Sequence, residues 1–446
     1  MEFLDKFVIP QSFEHIQLLH YLATLVLFLF VPFISIVFGS TILSLFFRKK
    51  GTAESDKGML CYAKDLSSMF TVNKSVGIVL GIVPLLTILI IYVQLLHSTG
   101  NLSITYIFVS LLLITVALIF IYTYRYSMSF NLIFNSIQNF EPKDKSVSDE
   151  INKFSKASRN LSMKAGTYGV VLLLLAVWFL LAGLDLSLYP ANANTQNLFA
   201  ELFSISVIAR LLTFLSFAMA LTGSAILFRF FFWESGIKDI DEEYKTLVKK
   251  SGIKVTFYFS ALIPIFLSVN LATFPKDTLS TSIFIYAGLV LFILFICYNI
   301  LYAIIKNEKS NLYSILFMLL IISLCFSLTK DQIAMDNATK LQTLKLGDKY
   351  EVLMASLMGE TKKAPKINGE EVFKVRCTPC HSFDHKIVGP PYNETLPKYV
   401  GKLNALVSFI LNPKKVDAGY PPMPNPGLKP AEAKAVAKYI LETYKK

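Results

Sequence analysis

The chain has 446 residues, of which 54% are hydrophobic and 17% are charged. Soluble globular proteins contain fewer apolar and more charged residues, so this balance excludes a water-soluble enzyme and indicates a protein that crosses a membrane several times. The net charge of +12 would suit nucleic-acid binding, but within residues 1–328 most of the Lys and Arg lie in loops between apolar segments, where membrane orientation explains them. We therefore expect a lipid bilayer, and no nucleic acid, as a partner of this chain.

Eight apolar segments, each of about 18 residues or more, predict transmembrane helices. They lie near 17–47, 75–97, 102–124, 165–188, 202–232, 255–274, 281–305 and 311–328. The start of the chain, MEFLDKFVIP, lacks the basic region and the cleavage site of a signal peptide. We therefore expect the first apolar segment to stay in the product as a helix.

The loops between these segments alternate in charge. Within residues 1–328, most of the Lys and Arg lie in the loops at 48–74, 125–164, 233–254 and 306–310. The loops at 98–101 and 189–201 hold neither residue type, and the loop at 275–280 holds only Lys276. The positive-inside rule assigns the basic loops to the cytoplasm. Both termini then face outward, which predicts a multi-pass protein of a bacterial inner membrane with its ends on the periplasmic side.

A short repeat suggests two similar units within the membrane domain, at 1–188 and 196–328. GSTILSLFF begins at Gly39 and GSAILFRFF begins at Gly223. The alternative is chance similarity between apolar sequences. After the membrane domain, 1–328, we expect a polar linker at 329–364, part of it helical, and a soluble domain at 365–446.

The soluble domain contains the motif CTPCH at 377–381. CxxCH is the attachment motif of c-type haem. Cys377 and Cys380 would bond to the haem vinyl groups, and His381 would be an axial ligand of the iron. A zinc site would need two more Cys or His ligands, and only His385 is near. A thiol redox pair would need a βαβ context, which this domain lacks.

A methionine supplies the candidate for the sixth iron ligand. Met423 lies in the proline-rich segment YPPMPNPGL, which stiffens the loop that would present the thioether. A helix at 430–444 follows, beginning with Pro430. Its apolar face is formed by Ala433, Val436, Ala437 and Ile440.

Residues 365–446 resemble a class I cytochrome c. The resemblance rests on the helix before CTPCH, the GPPY turn at 389–392, a middle helix at 403–411, the methionine loop and the C-terminal helix. It implies a helical fold around one covalent haem c, with His381 and Met423 as the axial ligands and Pro390 in the turn beside the histidine. The fold class is therefore all-α, a bundle of about eight spans followed by a cytochrome c domain.

The membrane domain has three histidines, all near its predicted outer face: His15, His20 and His97. Helices one and two are neighbours in the chain, so His20 and His97 are candidates to hold a b-type haem between them. The alternative is that these histidines lie at the membrane interface and solvate helix ends.

Two ionisable residues, Arg210 and Asp185, lie within apolar segments, and a charge inside a membrane suggests a functional site. Arg210 is a candidate to contact a haem propionate or a quinone headgroup. The alternative is an ion pair between Arg210 and Asp185 that fixes the packing of two helices.

The N-terminal half resembles the large subunit of cytochrome bd-type quinol oxidases. The resemblance rests on His20 near the start of the first helix, the segment LFVPFISIVFG, and the glycine-rich GIVLGIVP from Gly77. It implies haems and quinol oxidation at the outer face. No histidine cluster suits a haem–copper site, so we do not expect oxygen reduction by this chain alone.

Together these features predict a membrane-bound cytochrome c that carries electrons between the quinol pool, or a b-type haem, and periplasmic partners. It would be a subunit of a respiratory complex, of the quinol:cytochrome c oxidoreductase type, and would contact other subunits and soluble or membrane redox partners. The alternative is a docking subunit whose helices only tether the haem c domain to a larger complex.

Overall fold

The computed structural model describes residues 8–69, 71, 73–138, 145–189, 198–233, 241–306, 311–357, 367–417 and 419–444. Within these ranges the chain forms helices and no strand. The helices of the membrane domain are α1 (Phe13–Glu54), α2 (Lys57–Ser68), α3 (Lys74–Thr99), α4 (Ser103–Gln138), α5 (Lys145–Leu186), α6 (Leu198–Leu202), α7 (Ile205–Phe231), α8 (Glu242–Ala272), α9 (Thr281–Lys306) and α10 (Asn311–Leu357). Those of the C-terminal domain are α11 (Gly369–Arg376), α12 (Tyr392–Thr395), α13 (Leu403–Leu411) and α14 (Pro430–Tyr444).

Eight of these helices are long and apolar enough to cross a bilayer, which confirms the predicted all-α membrane bundle. They are α1, α3, α4, α5, α7, α8, α9 and α10. The helix α7 lies at the centre, since 78% of its most apolar window is buried, whereas the corresponding window of α8 is 28% buried. A helix that is apolar all round can be buried in this way, and the remaining helices face lipid on one side.

The two glycines of the short repeat lie at close helix contacts. Gly39 in α1 faces Thr222 and Ala218 in α7, and Gly223 in α7 faces Thr256 in α8. A side chain at either glycine would overlap the neighbouring helix, and small residues allow such close packing in membranes. The division into two similar units stays a prediction.

The last membrane helix, α10, has 47 residues and continues well beyond the bilayer. At 1.5 Å per residue it is about 70 Å long. Beyond the predicted span, Met335, Thr339, Gln342 and Leu346 recur every three or four residues and are all buried. This helical period explains why the polar segment predicted as a linker is ordered as a helix to Leu357. Residues 358–366 lie outside the described part of the chain.

The C-terminal domain packs against this extension of α10. Leu344 of α10 belongs to the buried core of the domain, and Phe13 at the start of α1 packs on the same core. Lys434 forms an ion pair with Asp348 of α10. The Lys340 ammonium donates a hydrogen bond to the Leu411 carbonyl at 3.3 Å.

The loop between α8 and α9 also contacts the domain. Lys414 forms an ion pair with Asp277, and the Asn412 side-chain amide donates to the Asp277 carbonyl at 3.2 Å. The start of α1, this loop and the extension of α10 therefore lie at one end of the bundle. This is the end that the charge pattern predicts to face outward.

Candidate functional site

The CTPCH motif lies at the end of α11, which brings its cysteines and histidine to one side of the domain. The backbone N–H of Cys377 donates to Phe373 O at 2.9 Å, and that of His381 donates to Cys377 O at 2.9 Å. The Thr378 N–H donates to Phe373 O at 3.1 Å and the Cys380 N–H donates to Cys377 O at 3.1 Å. The regular helical pattern therefore ends here, and the motif forms a compact turn. Cys377 is buried and Cys380 is partly exposed.

The His381 ring is oriented by two contacts within its own loop. Its Nδ1 lies 3.1 Å from Pro390 O, and because a carbonyl only accepts, Nδ1 carries the proton. The ring also stacks on Tyr392, with the ring centroids 5.0 Å apart. This arrangement leaves the lone pair on Nε2 for a metal, as a histidine ligand requires. Pro390 thus lies beside the histidine, where the resemblance placed it.

Gly389 provides the space that the His381 ring occupies. A Cβ at this position would lie 2.7 Å from Nδ1 of His381 and closer still to another ring atom. The Gly389 N–H donates to Cys380 O at 2.9 Å. The loop therefore passes directly beneath the imidazole, and only glycine fits there.

The Cys377 thiol differs from the activated thiolate of a redox-active CxxC pair. Burial raises the pKa of Cys377 to about 11, so the thiol is protonated near neutral pH, unlike a redox-active CxxC cysteine. Among the described residues no three His, Cys, Asp or Glu side chains converge to hold a metal ion. The protonated Cys377 thiol thus argues against disulfide exchange at this motif.

Helices on both sides of the motif form the core that would hold a haem. Phe373 in α11 packs against Tyr439 in α14, with their ring centroids 5.4 Å apart. A Cβ on Gly369 would overlap the backbone of Ala435, so α11 and α14 cross closely. The predicted apolar face of α14 is confirmed, since Ala433, Val436, Ala437 and Ile440 are each 1% exposed or less.

The methionine loop is fixed at its C-terminal end. Leu428 is buried in the domain core, and Gly427 has a positive φ of 66°. The Asn425 side chain accepts from the Gly427 N–H at 2.9 Å and donates to Leu411 O at 3.4 Å. Met423 lies two residues before Asn425 and is half-buried. Its role as the sixth ligand stays a prediction.

Comparison with known proteins identifies this domain. The cytochrome c family model matches residues 367–443. Cytochrome c-551 of Azotobacter vinelandii is 38% identical over 77 residues, which cover 94% of that protein and 16% of this chain. Cytochrome c-551 of Pseudomonas denitrificans is 40% identical over 78 residues, with the same coverage. The chain belongs to the cytochrome c family.

The C-terminal part of this membrane cytochrome is thus a class I cytochrome c domain. Membership implies a covalently bound haem c, and the free thiols of the motif, the oriented His381 and the glycine beneath it fit that group. When bound, haem c supplies a one-electron couple between ferric and ferrous iron. No solved structure matches the chain, and the comparisons give no support to the predicted resemblance to cytochrome bd-type oxidases.

The two candidate histidines of the membrane domain are both buried at the end that bears the cytochrome domain. His20 is 8% exposed and His97 is 4% exposed. His97 Nδ1 lies 3.1 Å from Gln94 O, whereas His20 Nε2 lies 3.8 Å from Asp336 Oδ1, too far for a hydrogen bond. His15 is exposed. A b-type haem on His20 and His97 stays a prediction.

Arg210 lies in a buried ionic cluster. Its Nε donates to Asp185 Oδ1 at 2.6 Å, and its Nη1 lies 3.5 Å from Asp331. Lys330 donates to Asp331 at 2.8 Å and to the Asn270 side chain at 2.7 Å. The Arg210–Asp185 pair, the alternative that the sequence left open, is thus formed. Two acids and two bases balance, as buried charges require.

Space beside this cluster is small. The adjoining cavity has a volume of about 60 Å³, which holds a few water molecules but no quinone headgroup or porphyrin. The contact of Arg210 with a propionate or a quinone stays a prediction.

Sequence analysis missed the part of this end that comes from α10. Lys330, Asp331, Gln332 and Asp336 fell within the predicted linker, so they were not considered as membrane-domain residues. The buried face of α10 continues past the last apolar segment through residues that include Ala334, Met335 and Thr339. Because these residues are a mixture of apolar and polar types, hydropathy alone did not mark this segment as part of the bundle.

Proposed function

We propose that this cytochrome transfers electrons between the quinol pool of the membrane and redox partners on the outer side of a bacterial inner membrane, as a subunit of a respiratory complex. The observation that carries the proposal is the attachment of the haem c domain. It packs on α1, on the α8–α9 loop and on the extension of α10, directly above the bundle. A domain held in this way suits exchange of electrons with the outer half of the bilayer.

Quinol and haem c differ in the number of electrons that they transfer, which sets a condition on this function. Oxidation of one quinol breaks two O–H bonds and releases two electrons and two protons. Haem c takes one electron at a time, so a one-electron acceptor on the outer side must accept each electron in turn. Flow in the opposite direction, from an outer donor to quinone, obeys the same balance.

The experiment is the reduction of haem c by quinol in the purified full-length chain. The chain is placed in phosphatidylcholine nanodiscs, a short-chain quinol is added, and the α-band of ferrous haem c is followed in time. We expect reduction that saturates with quinol concentration. Reduction by dithionite but not by quinol would support the other candidate, a docking subunit that receives electrons only from a protein.

The spectrum of the same sample tests the b-type haem. A pyridine haemochrome counts c-type and b-type haem in the chain. A b-type signal that disappears in both His20→Ala and His97→Ala would support ligation by these two residues. A sample with haem c alone would exclude it.

A further inference from the structure

A cavity of about 660 Å³ lies where the membrane bundle meets the cytochrome domain. It is lined by the outer end of α1, by α10 beyond its membrane span, and by the loop at 425–430 that follows Met423. Its volume is within the range of about 300–1,000 Å³ that is usual for pockets binding small organic ligands. The methionine loop of the cytochrome domain thus forms one wall of a membrane-domain cavity.

Two buried side chains that line this cavity, those of His20 and Gln332, contain polar atoms without a hydrogen-bond partner. Both ring nitrogens of His20 and the side-chain oxygen of Gln332 are unpaired. His20 is 8% exposed and Gln332 is 7% exposed. A buried polar group without a partner destabilises the fold, so this pair indicates a ligand that both accepts and donates hydrogen bonds.

The charged residues around the cavity balance. Gln332, Asp336 and Lys340 recur every four residues along α10 and face the cavity together. Glu14 and Lys429 complete the charged lining. Two acids oppose two bases, which suits a neutral polar headgroup better than an anion.

One rim of the cavity reaches the lipid-facing side of α1. Tyr21 lines the cavity and is 65% exposed. It shares a helix face with Leu18, Leu25 and Leu29, which are 59%, 58% and 53% exposed. A ligand with an apolar tail can therefore enter from the bilayer with its headgroup leading.

From these features we propose that the cavity is the binding site for the quinol headgroup, with His20 as one hydrogen-bond partner and the side-chain oxygen of Gln332 accepting from a quinol hydroxyl group. The proposal rests on the proposed function and gives it a location. A b-type haem fits less well, because His97 does not line the cavity and the two haem propionates would add negative charge beside Glu14 and Asp336. The same carboxylates disfavour the phosphate of a phospholipid.

The test uses a photoreactive azidoquinone with the full-length chain in phosphatidylcholine nanodiscs. After illumination, labelled peptides are mapped by mass spectrometry. We expect labels within residues 13–24 or 329–343, and competition by an unlabelled short-chain quinone. Labels confined to other segments, or labels that the unlabelled quinone does not displace, would overturn the proposal. This map needs no variant, so it does not depend on the folding of a mutant.

Matched variants then test the two hydrogen-bond partners. His20→Ala and Gln332→Leu should each weaken quinol binding about tenfold, the loss expected for one hydrogen bond to a ligand. The controls are His15→Ala, on the same helix but exposed, and Gln342→Leu, which is buried on α10 and bonds Ser98 instead. Equal binding by all four variants would overturn the assignment.

Two further outcomes separate this site from the proposed function. Quinone labelling at the cavity without reduction of haem c by quinol would support the site and contradict the function. Reduction of haem c that is unchanged in His20→Ala and Gln332→Leu would leave the function intact and contradict the site. A b-type haem lost in His20→Ala would also overturn the site, because it would fill the same cavity.

Discussion

The two regions of the molecule each contain a histidine in a candidate site. The two histidines differ in whether their surroundings come from nearby or from distant parts of the chain. His381 has Nδ1 bonded to Pro390 O and its ring stacked on Tyr392, so its contacts come from within eleven residues along the chain. His20 has both nitrogens unpaired, and its Nε2 lies 3.8 Å from Asp336, a residue of α10 that is distant in the sequence. Local contacts thus fix the orientation of the His381 ring, whereas tertiary packing alone creates the environment of His20.

This difference determines what a mutation can be expected to do. Changes to the local motif should abolish haem binding without altering the bundle. Changes to the long-range contacts should alter stability or docking and leave the haem attached. Four variants test this separation, beginning with the complete loss of haem and ending with a small change in docking.

The largest effect is expected from Cys377→Ala combined with Cys380→Ala. Without either thiol no thioether bond forms, so covalent haem should be lost completely, as measured by haem staining of a denaturing gel and by pyridine haemochrome. Cys297→Ala is the control, because this thiol is buried in α9. Covalent haem that survives in the double variant would show that the motif is not the attachment site.

Gly389→Ala tests the space beneath the imidazole. The added methyl group would overlap the His381 ring, and such overpacking costs about 1–3 kcal/mol. We expect a lower thermal midpoint of the cytochrome domain and an altered haem c spectrum, while the membrane domain unfolds as before. Gly419→Ala is the control, since its Cβ would meet its nearest neighbour at an ordinary 3.4 Å. Equal midpoints and spectra in the two variants would show that the loop can move aside.

Asp185→Asn tests the long-range contacts of the membrane domain. It leaves one uncompensated positive charge in the cluster of Arg210, Lys330 and Asp331, and breaking a buried ion pair costs about 3–5 kcal/mol. The thermal midpoint of the bundle in detergent should fall, with the haem c content unchanged.

The control for this variant is Glu54→Gln, which removes an exposed partner of Lys50 at 3.9 Å and should change stability by less than about 0.5 kcal/mol. Adding Arg210→Gln to Asp185→Asn should restore part of the loss, because the cluster is then neutral again. If the thermal midpoint of Asp185→Asn fell no further than that of Glu54→Gln, the charges of the cluster would be hydrated rather than buried.

The smallest effect is expected from Lys434→Gln, which removes the ion pair with Asp348 of α10. Both side chains are over 40% exposed, so the pair contributes about 1 kcal/mol or less to docking. Hydrogen exchange at 340–350 should rise slightly, and raising the salt concentration should produce the same change in the unaltered chain. Lys438→Gln, whose partner Glu442 lies on the same helix, is the control. Release of the whole domain by this one change would mean that charge, rather than the apolar contact at Leu344, holds it.

Sequence alone predicted the eight spans because hydropathy over about 18 residues needs no tertiary information. It also predicted the haem c domain, because CTPCH, GPPY and the face of α14 are local patterns. It could not predict that α10 continues to Leu357, since its polar residues there are buried by contacts with distant helices. The pairing of Arg210 with Asp185 was one of two alternatives, and only the packing of α5 against α7 decides between them. The cavity at His20 depends on three distant segments and has no sequence signature.

The uninterrupted course of α10 has a consequence for how length changes act on this protein. Each residue in an α-helix advances the chain by 1.5 Å and turns it by about 100°. An insertion of one residue between Asp336 and Asp348 would swing the attached domain by more than a quarter of a circle and carry its haem edge away from the bundle. An insertion of seven residues would nearly restore the angle but lift the domain by about 10 Å. The number of residues in α10 therefore sets both the height and the orientation of the cytochrome domain relative to the bundle.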